Sequence, residues 1–269
     1  MFLPLVTSYP SLLFFIYKPK TMNQLKFYGR LLCTATSIFL FSCGNSEDKT
    51  TTETTGVDST STSDTAVTSA PVNTIVTTPE TIMVVRHKMT DYDKWLAGFE
   101  AHDSMKLANG LHNYVVGRSV EDPNLLLVAT KADDIAKAKA FGKSPELKQA
   151  MQKTGVVGKP IITFLTTVYQ DTSTINTDLR SMTTVTVKDW DAWKTSFESR
   201  RQDRLDAGLT DRVYGYDPDD NHKVTIVVAV SDTAKANAFW NSDKLKEDMA
   251  KGGVVGKPER FIFRVTKRY

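Results

Sequence analysis

The run Gly155-Val-Val-Gly-Lys-Pro160 occurs a second time, unchanged, from Gly253 to Pro258. A shift of 98 residues also superimposes, without a gap, aspartates, glycines and large apolar residues of the preceding segment on a later one. The matched pairs are Asp91/Asp189, Asp93/Asp191, Trp95/Trp193, Phe99/Phe197, Gly110/Gly208, Leu111/Leu209, Gly117/Gly215, Phe141/Phe239, Leu147/Leu245 and Met151/Met249. An internal copy of this length predicts one small fold that is duplicated and packed against itself.

The N-terminal segment has the pattern of a signal peptide. A short basic stretch with Lys26 and Arg30 precedes an apolar run from Leu31 to Phe41, which is too short to cross a bilayer as a helix. The ending Leu40-Phe-Ser-Cys43 resembles a bacterial lipobox, in which the chain is cut before the cysteine and a lipid is attached to it. The alternative is an ordinary secretory signal with an incidental cysteine. We expect a signal region at 1–43 and lipidation at Cys43.

Residues 1–21 fit poorly into this signal, because Pro4, Pro10 and Pro19 interrupt their apolar stretch. We therefore expect translation to begin at Met22. The Ser46-Glu-Asp-Lys49 run after Cys43 resembles the acidic export tags of Bacteroidetes surface lipoproteins. The expected location is the cell envelope, with the lipid anchor in a bacterial membrane, most naturally the outer one.

Cleavage would change the charge of the chain. Residues 1–42 contain four lysines and arginines and no acid, so the formal net charge of +3 becomes −1 in the mature protein. Composition then gives no support for nucleic-acid binding. The two cysteines, Cys33 and Cys43, both lie in the signal region, and no internal disulfide is expected.

Residues 44–79 consist mainly of Thr, Ser, Asp and Glu. Such a segment has too little apolar surface to offset its ordering entropy, and we expect a disordered tether. The globular part follows as two repeats at 80–170 and 180–269.

One repeat is predicted to follow the order βαββαβ. Thr81 to Lys88 alternates like a strand, Asp91 is placed to cap a helix, and Gly110 suits the left-handed end of that helix. Two further strands are expected at Leu111 to Ser119 and Leu125 to Lys131. They are followed by a helical region capped by Asp133 or Asp134 and restarting at Ser144-Pro145, and by a last strand from Pro160 to Tyr169.

This order is typical of a ferredoxin-like unit, with one antiparallel sheet and both helical regions on one face. The other face of the sheet is apolar as well, since Leu125 to Val128 are consecutive apolar residues. Strands that are apolar on both faces need cover on both. The fold class is therefore α+β, with two ferredoxin-like repeats that face each other in one fused barrel and behave as an intramolecular pseudo-dimer in a monomeric chain.

Several motifs resemble the dimeric α/β-barrel superfamily, in particular the antibiotic-biosynthesis monooxygenase-like domains. They are Tyr92-Asp-Lys-Trp with Phe99, the Gly110-Leu pair, Phe141, Ser144-Pro-Glu-Leu and the Gly155 to Pro160 run. The resemblance covers both repeats and implies the barrel fold. Because these motifs are mainly structural, they imply little about activity.

An aromatic and cationic stripe recurs on the first helix of each repeat. The spacing places Trp95, Phe99, His102 and Lys106 on one helix face, and the second copy has Trp193, Phe197, Arg200 and Arg204 there. One interpretation is a pocket for a planar acidic molecule. The other is a solvated helix end, whose cations reach water over an apolar stem. The candidate ligand-binding residues are Trp95, Phe99, His102, Tyr114, Trp193, Phe197, Arg200 and Tyr214.

Other site types receive less support. The haem-degrading branch of the superfamily has an Asn-Trp-His arrangement, whereas residues 133–153 contain neither Trp nor His, and the second copy has only Trp240. The four histidines show no paired metal spacing, so no metal and no cofactor are expected. The Gly-x-x-Gly at 155–158 suggests a phosphate loop, but helix capping explains it better.

Three functional hypotheses stay open at this point. The first is a membrane-anchored module that binds a small aromatic or acidic molecule. The second is a cofactor-independent monooxygenase or related small-molecule enzyme, for which tyrosines and a histidine would stabilise a substrate anion. The third is a purely structural module whose pockets are filled by side chains.

Overall fold

The computed structural model describes residues 73–269. The strands are β1 Ile75–Val76, β2 Glu80–Met89, β3 Leu111–Ser119, β4 Leu125–Ala132, β5 Val156–Asp171, β6 Leu179–Val187, β7 Leu209–Asp217, β8 Asp220–Val230 and β9 Val254–Arg268. The helices are α1 Tyr92–Ala101, α2 Asp103–Ala108, α3 Ile135–Gly142, α4 Pro145–Lys153, α5 Trp190–Ser199, α6 Arg201–Asp206, α7 Thr233–Trp240 and α8 Asp243–Lys251. No helix in 73–269 is both long and apolar enough to span a membrane. The predicted signal region and Cys43 lie outside the described residues.

Local sequence sets the helix starts as predicted. The Asp91 carboxylate accepts a hydrogen bond from the Lys94 amide at 2.9 Å, and Asp134, not Asp133, caps α3. Ser144 restarts the chain as α4, with Pro145 at its first turn. The predicted first helix is interrupted, however, because His102 adopts a ψ of 19° between α1 and α2.

All described strands pair antiparallel, and β2 to β9 form a closed ring. The order β5-β2-β4-β3 of the first repeat is the ferredoxin-like one, and β9-β6-β8-β7 repeats it. Strand β3 pairs with β9, and β5 pairs with β7, so that both edges of one repeat join the other repeat. Closure removes the free sheet edges that a single repeat would expose. The predicted fused α/β barrel is confirmed.

The start of the described chain adds a strand. Ile75–Val76 pairs antiparallel with the end of β5, at Asp171 and Gln170. The described residues at the end of the expected tether are therefore held against the barrel. The rest of the expected tether lies outside the described residues.

The duplicated Gly-Val-Val-Gly-Lys-Pro run ends a helix and begins the next strand. Gly155, with φ of 85°, follows α4, as expected for a helix-ending glycine. Gly158, with φ of 72°, lies inside β5, where the register against β2 shifts between Arg86 and Lys88. Helix capping thus explains the first glycine and a β-bulge the second. Strand β5 consequently begins at Val156, before the predicted start at Pro160.

Side chains of the barrel pack in separate layers. The interior cluster takes residues from both repeats, including Ile82, Leu127, Met182 and Phe263. Further clusters lie between the sheet and the helices of each repeat. The two faces of the sheet are both apolar, as the sequence indicated.

Candidate functional site

Three cavities lie against the two faces of the sheet. One lies between sheet and helices in the first repeat, with a volume of about 70 Å³, and its equivalent in the second repeat has about 100 Å³. The third, of about 80 Å³, lies in the barrel interior. We call them the first helix–sheet cavity, the second helix–sheet cavity and the interior cavity. Each is smaller than the roughly 150 Å³ cavity that takes up benzene in an engineered protein core.

The first helix–sheet cavity is almost entirely apolar. Its polar lining residues include His87 on β2 and Lys106 on α2. The whole lining consists of Met83, Val85, His87, Trp95, Phe99, His102, Met105, Lys106, Leu111, Val128, Thr130, Phe141, Leu147, Ala150, Met151 and Thr154.

His87 is a buried imidazole without a partner. Its residue is 4% exposed, and neither ring nitrogen has a hydrogen-bond partner among the described residues. The ring centroid lies 5.4 Å from that of Trp95. Burial lowers the pKa of His87 from 6.5 to about 4, so the ring is neutral at neutral pH. Buried polar groups are normally satisfied, which makes this imidazole exceptional.

Lys106 is a buried cation with mostly neutral partners. Its Nζ donates to Asn113 Oδ1 at 2.7 Å and to the Phe99 carbonyl at 3.0 Å, and it lies 3.4 Å from the Phe99 ring centroid. The nearest carboxylate is that of Asp103, at 3.6 Å and half exposed. Burial lowers the pKa of Lys106 to about 8, although Asp103 opposes the shift.

The second helix–sheet cavity differs at the equivalent positions. Val185 stands in place of His87, and Arg204 stands in place of Lys106. Arg204 forms a bidentate pair with buried Asp211, at 2.8 and 2.6 Å, where the first repeat has neutral Asn113. The buried charge of the second repeat is therefore compensated internally, and that of the first repeat much less so.

The predicted stripe residues divide between the two helix–sheet cavities. Trp95, Phe99 and His102 line the first, and Trp193, Phe197 and Arg200 line the second. The structure therefore gives two separate groups of three.

The polar residues of these two groups are engaged differently. His102 donates from Nδ1 to the Gly98 carbonyl at 2.5 Å, since that carbonyl only accepts. Arg200 lies 3.9 Å from the Asp248 carboxylate.

The two predicted tyrosines lie elsewhere. Tyr114 lines the interior cavity, on the opposite face of the sheet. Tyr214 packs in the second-repeat core and donates to Glu198 at 2.6 Å. Burial and this carboxylate raise the pKa of Tyr214 above its ordinary range.

The interpretation of the stripe ends as solvated cations is wrong for two of them. Lys106 and Arg204 are 5% and 7% exposed, and both ammonium and guanidinium groups bind backbone and side-chain oxygens inside the fold. The short helices α2 and α6 turn these residues towards the sheet. The sequence predicts the stripe. It does not predict the helix interruptions at His102 and Arg200, after which Lys106 and Arg204 are buried.

Sequence reasoning missed His87 as a candidate site residue. One signal was available: the 98-residue shift pairs it with Val185, a polar against an apolar residue at a helix-facing strand position. The same shift pairs Asn113 with Asp211. Positions that differ between the copies thus point to candidate site residues, whereas positions that match belong to the shared fold.

The interior cavity contains charged side chains. Arg180, Arg212, Arg268 and Asp171 line it, together with Tyr114 and apolar residues of both repeats. In 73–269, no group of His, Cys, Asp and Glu is arranged to hold a metal ion.

Comparison with known proteins gives likenesses of fold. No family model and no curated protein matches the chain. Among solved structures, a candidate monooxygenase from Lactobacillus acidophilus NCFM is 11% identical, with a TM-score of 0.48 over 70% of this chain and 95% of its own. An anthrone oxidase-like protein is 11% identical, with a TM-score of 0.48 over 72% and 95%. A haem-binding protein from Thermus thermophilus is 9% identical, with a TM-score of 0.45 over 72% and 93%. Identities and TM-scores this low do not assign an activity or a ligand to this chain.

Haem does not fit the first helix–sheet cavity. Sites for drug-sized molecules have volumes of roughly 300–1,000 Å³. The cavity of about 70 Å³ is far below this range, and a porphyrin would have to displace its buried aromatic lining. A haem beside His87 is therefore not a fitting partner for its ring nitrogens.

Proposed function

We propose that the chain is a small-molecule-binding module whose first helix–sheet cavity holds a small aromatic compound with an acidic or hydrogen-bonding group. The observation that carries this proposal is the unpartnered, buried imidazole of His87 at an apolar cavity. A ligand hydroxyl or carboxyl beside this ring would satisfy a polar group that otherwise costs free energy.

Charge supports an acidic ligand in the same place. The compensation of Lys106 by half-exposed Asp103 is weaker than that of Arg204 by buried Asp211. An anionic group near Lys106 would complete the pairing that the second repeat already has. Trp95 and Phe99 stack on each other with ring centroids 5.1 Å apart, and both belong to the lining, so a ligand ring would have aromatic partners there.

The cavity of about 70 Å³ has to enlarge to take even one ring, so the ligand is limited to about that size. Three methionines, Met83, Met105 and Met151, belong to its lining. Methionine side chains adapt to irregular shapes with little cost, and their movement would enlarge the site. The proposal therefore excludes large planar cofactors and favours compounds the size of phenol or benzoate.

The low pKa of His87 favours binding over catalysis. A general base works best with a pKa near the operating pH. The pKa of His87, about 4, makes it a weak base at neutral pH, which reduces the support for cofactor-independent oxygenation. The hypothesis of a filled, purely structural pocket predicts no binding at all, and the same experiment tests it.

Calorimetric titration of the full chain with phenol and with benzoate tests the site. His87→Val introduces the residue of the second repeat and should weaken binding of phenol, and Lys106→Met should weaken binding of benzoate. Thr183→Val changes the second cavity to the residue of the first and serves as a matched control. Equal affinities for wild type, His87→Val and Lys106→Met would contradict the proposal.

A second pair of variants assigns binding to one repeat. His102→Leu alters the first helix–sheet cavity, and Arg200→Leu alters the second. Loss of benzoate binding only in His102→Leu supports the first cavity. Mass spectrometry of molecules that co-purify with the native protein would then identify the natural ligand.

We further propose that this module is held at a bacterial membrane by a lipid on Cys43. The support is the sequence alone: the apolar run, the Leu40-Phe-Ser-Cys43 ending and the Thr/Ser-rich segment after it. Cys43→Ala should release the protein from the membrane fraction or stop its processing. Unchanged fractionation together with an unchanged mass would contradict the anchor.

A further inference from the structure

The interior cavity contains an unusual excess of positive charge. It lies where β6 begins and where β5 and β9 end, and its lining includes three arginines, Arg180, Arg212 and Arg268. The one carboxylate of the lining is that of Asp171. Two guanidinium charges thus have no counter-charge among the lining residues. Of these two, Arg180 is buried and Arg268 is exposed, and a buried charge without a partner is strongly unfavourable in a protein interior.

Arg180 is the buried member of this group that has an unused donor. The residue is 3% exposed, and its Nη1 donates to the carbonyls of Thr177 and Leu179 at 2.7 and 2.9 Å. Its Nη2 is buried and has no hydrogen-bond partner among the described residues. Burial and the neighbouring Arg268 and Arg212 lower the pKa of Arg180 to about 10, although Asp178 opposes the shift, so Arg180 still carries a charge at neutral pH.

Arg212 and Asp171 form the fixed wall of the cavity. Arg212 Nη1 donates to Asp171 at 3.0 Å, and Nη2 donates to the Ser173 carbonyl at 2.6 Å. A register shift between Asp211 and Val213 aims Arg212 into the barrel, while Asp211 pairs with Arg204 on the helix side. β-Bulges commonly re-aim side chains in this way. Because Asp171 is engaged by Arg212, it does not neutralise Arg180.

Duplication alone does not account for the cluster. The positions equivalent to Arg180, Arg212 and Arg268 are Ile82, Tyr114 and Gln170, and none of these is charged. These three positive charges are thus present in the second repeat and absent from the equivalent positions of the first. It lies on the face of the sheet opposite to the helix–sheet cavities.

An open groove shares lining residues with the interior cavity. Arg268 lines the interior cavity and also an open groove of about 630 Å³. The groove is bounded by Ile175, Asn176, Thr177 and Asp178 of the connecting segment and by the end of β9. Arg268 is exposed and belongs to both linings, so it is the arginine of the group that solvent reaches.

The geometry points to an anion-binding site inside the barrel, in which Arg180 and Arg268 hold a carboxylate or phosphate group of a small molecule. The volume of about 80 Å³ equals that of roughly two to three water molecules in the liquid. This space suits one oxyanion group. Guanidinium is the side-chain group best matched to oxyanions, because its N–H donors lie in one plane. Tyr114 adds a hydroxyl to the same cavity.

Thermal unfolding of the full chain at constant ionic strength tests this site. Sodium phosphate, sulfate and malonate are compared with chloride, so that tetrahedral and carboxylate ligands are distinguished from screening. Arg180→Met should weaken the preferred anion roughly ten- to hundredfold, which corresponds to the loss of a charged hydrogen bond. Arg201→Gln is the matched control, because Arg201 is exposed on α6 and belongs neither to the interior cavity nor to the groove.

A second variant separates binding from folding. Arg268→Gln changes an exposed residue and should lower anion affinity without altering the unfolding temperature in chloride. The inference stands if wild type and Arg201→Gln are stabilised equally by phosphate or malonate and both Arg180→Met and Arg268→Gln lose this stabilisation. It is overturned if no anion stabilises wild type beyond chloride, or if the two variants respond like wild type.

Discussion

At the scale of single residues, the two repeats carry the same aromatic groups but different polar ones. Trp95 and Trp193 are equally buried, at 2% exposure, and each stacks on the phenylalanine one turn later. His87 faces the first cavity where Val185 faces the second. The aromatic residues therefore serve the shared core, and the histidine is the element specific to one repeat.

This difference predicts a pH dependence of stability. Because the pKa of His87 falls from 6.5 to about 4 on folding, the unfolded chain binds a proton between these values that the folded chain does not. Stability should therefore decrease as pH falls through this window, by on the order of 2 kcal/mol at about pH 5 relative to neutral pH. Urea unfolding of wild type and His87→Val at both pH values measures it. His87→Val should lack this component, and parallel pH profiles for the two proteins would contradict the prediction.

The sequence alone could not single out His87 as a site residue. A strand histidine among apolar neighbours predicts burial, but whether its nitrogens find partners depends on residues from other elements, such as Trp95 on α1. Likewise, Lys106 is read correctly as part of the helical stripe, yet its burial follows from the break at His102. Candidate sites of this kind need tertiary packing to be recognised.

At the scale of secondary-structure elements, the two repeats join at two seams, β3 with β9 and β5 with β7. Each seam depends on one glycine. Gly117 on β3 pairs with Val265, and Gly215 on β7 pairs with Thr167. A Cβ at Gly215 would lie 2.0 Å from the Thr166 carbonyl oxygen, and one at Gly117 would lie 2.2 Å from the Phe263 ring. The match of these glycines under the 98-residue shift thus reflects close strand approach at both seams. The sequence shows the match, whereas its reason requires the strand pairing.

Gly215→Ala should open the seam between β5 and β7. Since the clash is with backbone, which has little room to move, we expect a loss of roughly 1–3 kcal/mol or more in the free energy of unfolding. Gly142→Ala in α3 is the control, because its Cβ would make only ordinary contacts from 3.5 Å. That variant should be neutral or slightly stabilising. Denaturant unfolding of both decides the matter, and equal midpoints would show that the seam tolerates a side chain.

At the scale of the whole molecule, the barrel is a fold that neither repeat completes alone. A separated first repeat would leave β3 and β5 as open edges and would expose the interior residues Ile82, Leu127 and Leu165. The doubling of the sequence predicted this dependence, since both sheet faces are apolar. The bulges and the charged interior were not predictable in the same way, because they arise from differences in register and between copies.

Residues 80–170 expressed alone should therefore self-associate, whereas the two-repeat chain should be monomeric. Because the β3 edge of the first repeat has the same glycine as the β7 edge of the second, it can pair with the β5 edge of another copy and rebuild the barrel as a homodimer. Residues 180–269, tested in parallel, should form a weaker dimer, because Arg180 and Arg212 of both copies would meet in one barrel interior. Light scattering of both halves and of the full chain measures their masses. A stable monomeric half would mean that one sheet face tolerates water. Burial of that face would then not be what drives the two repeats to close the barrel.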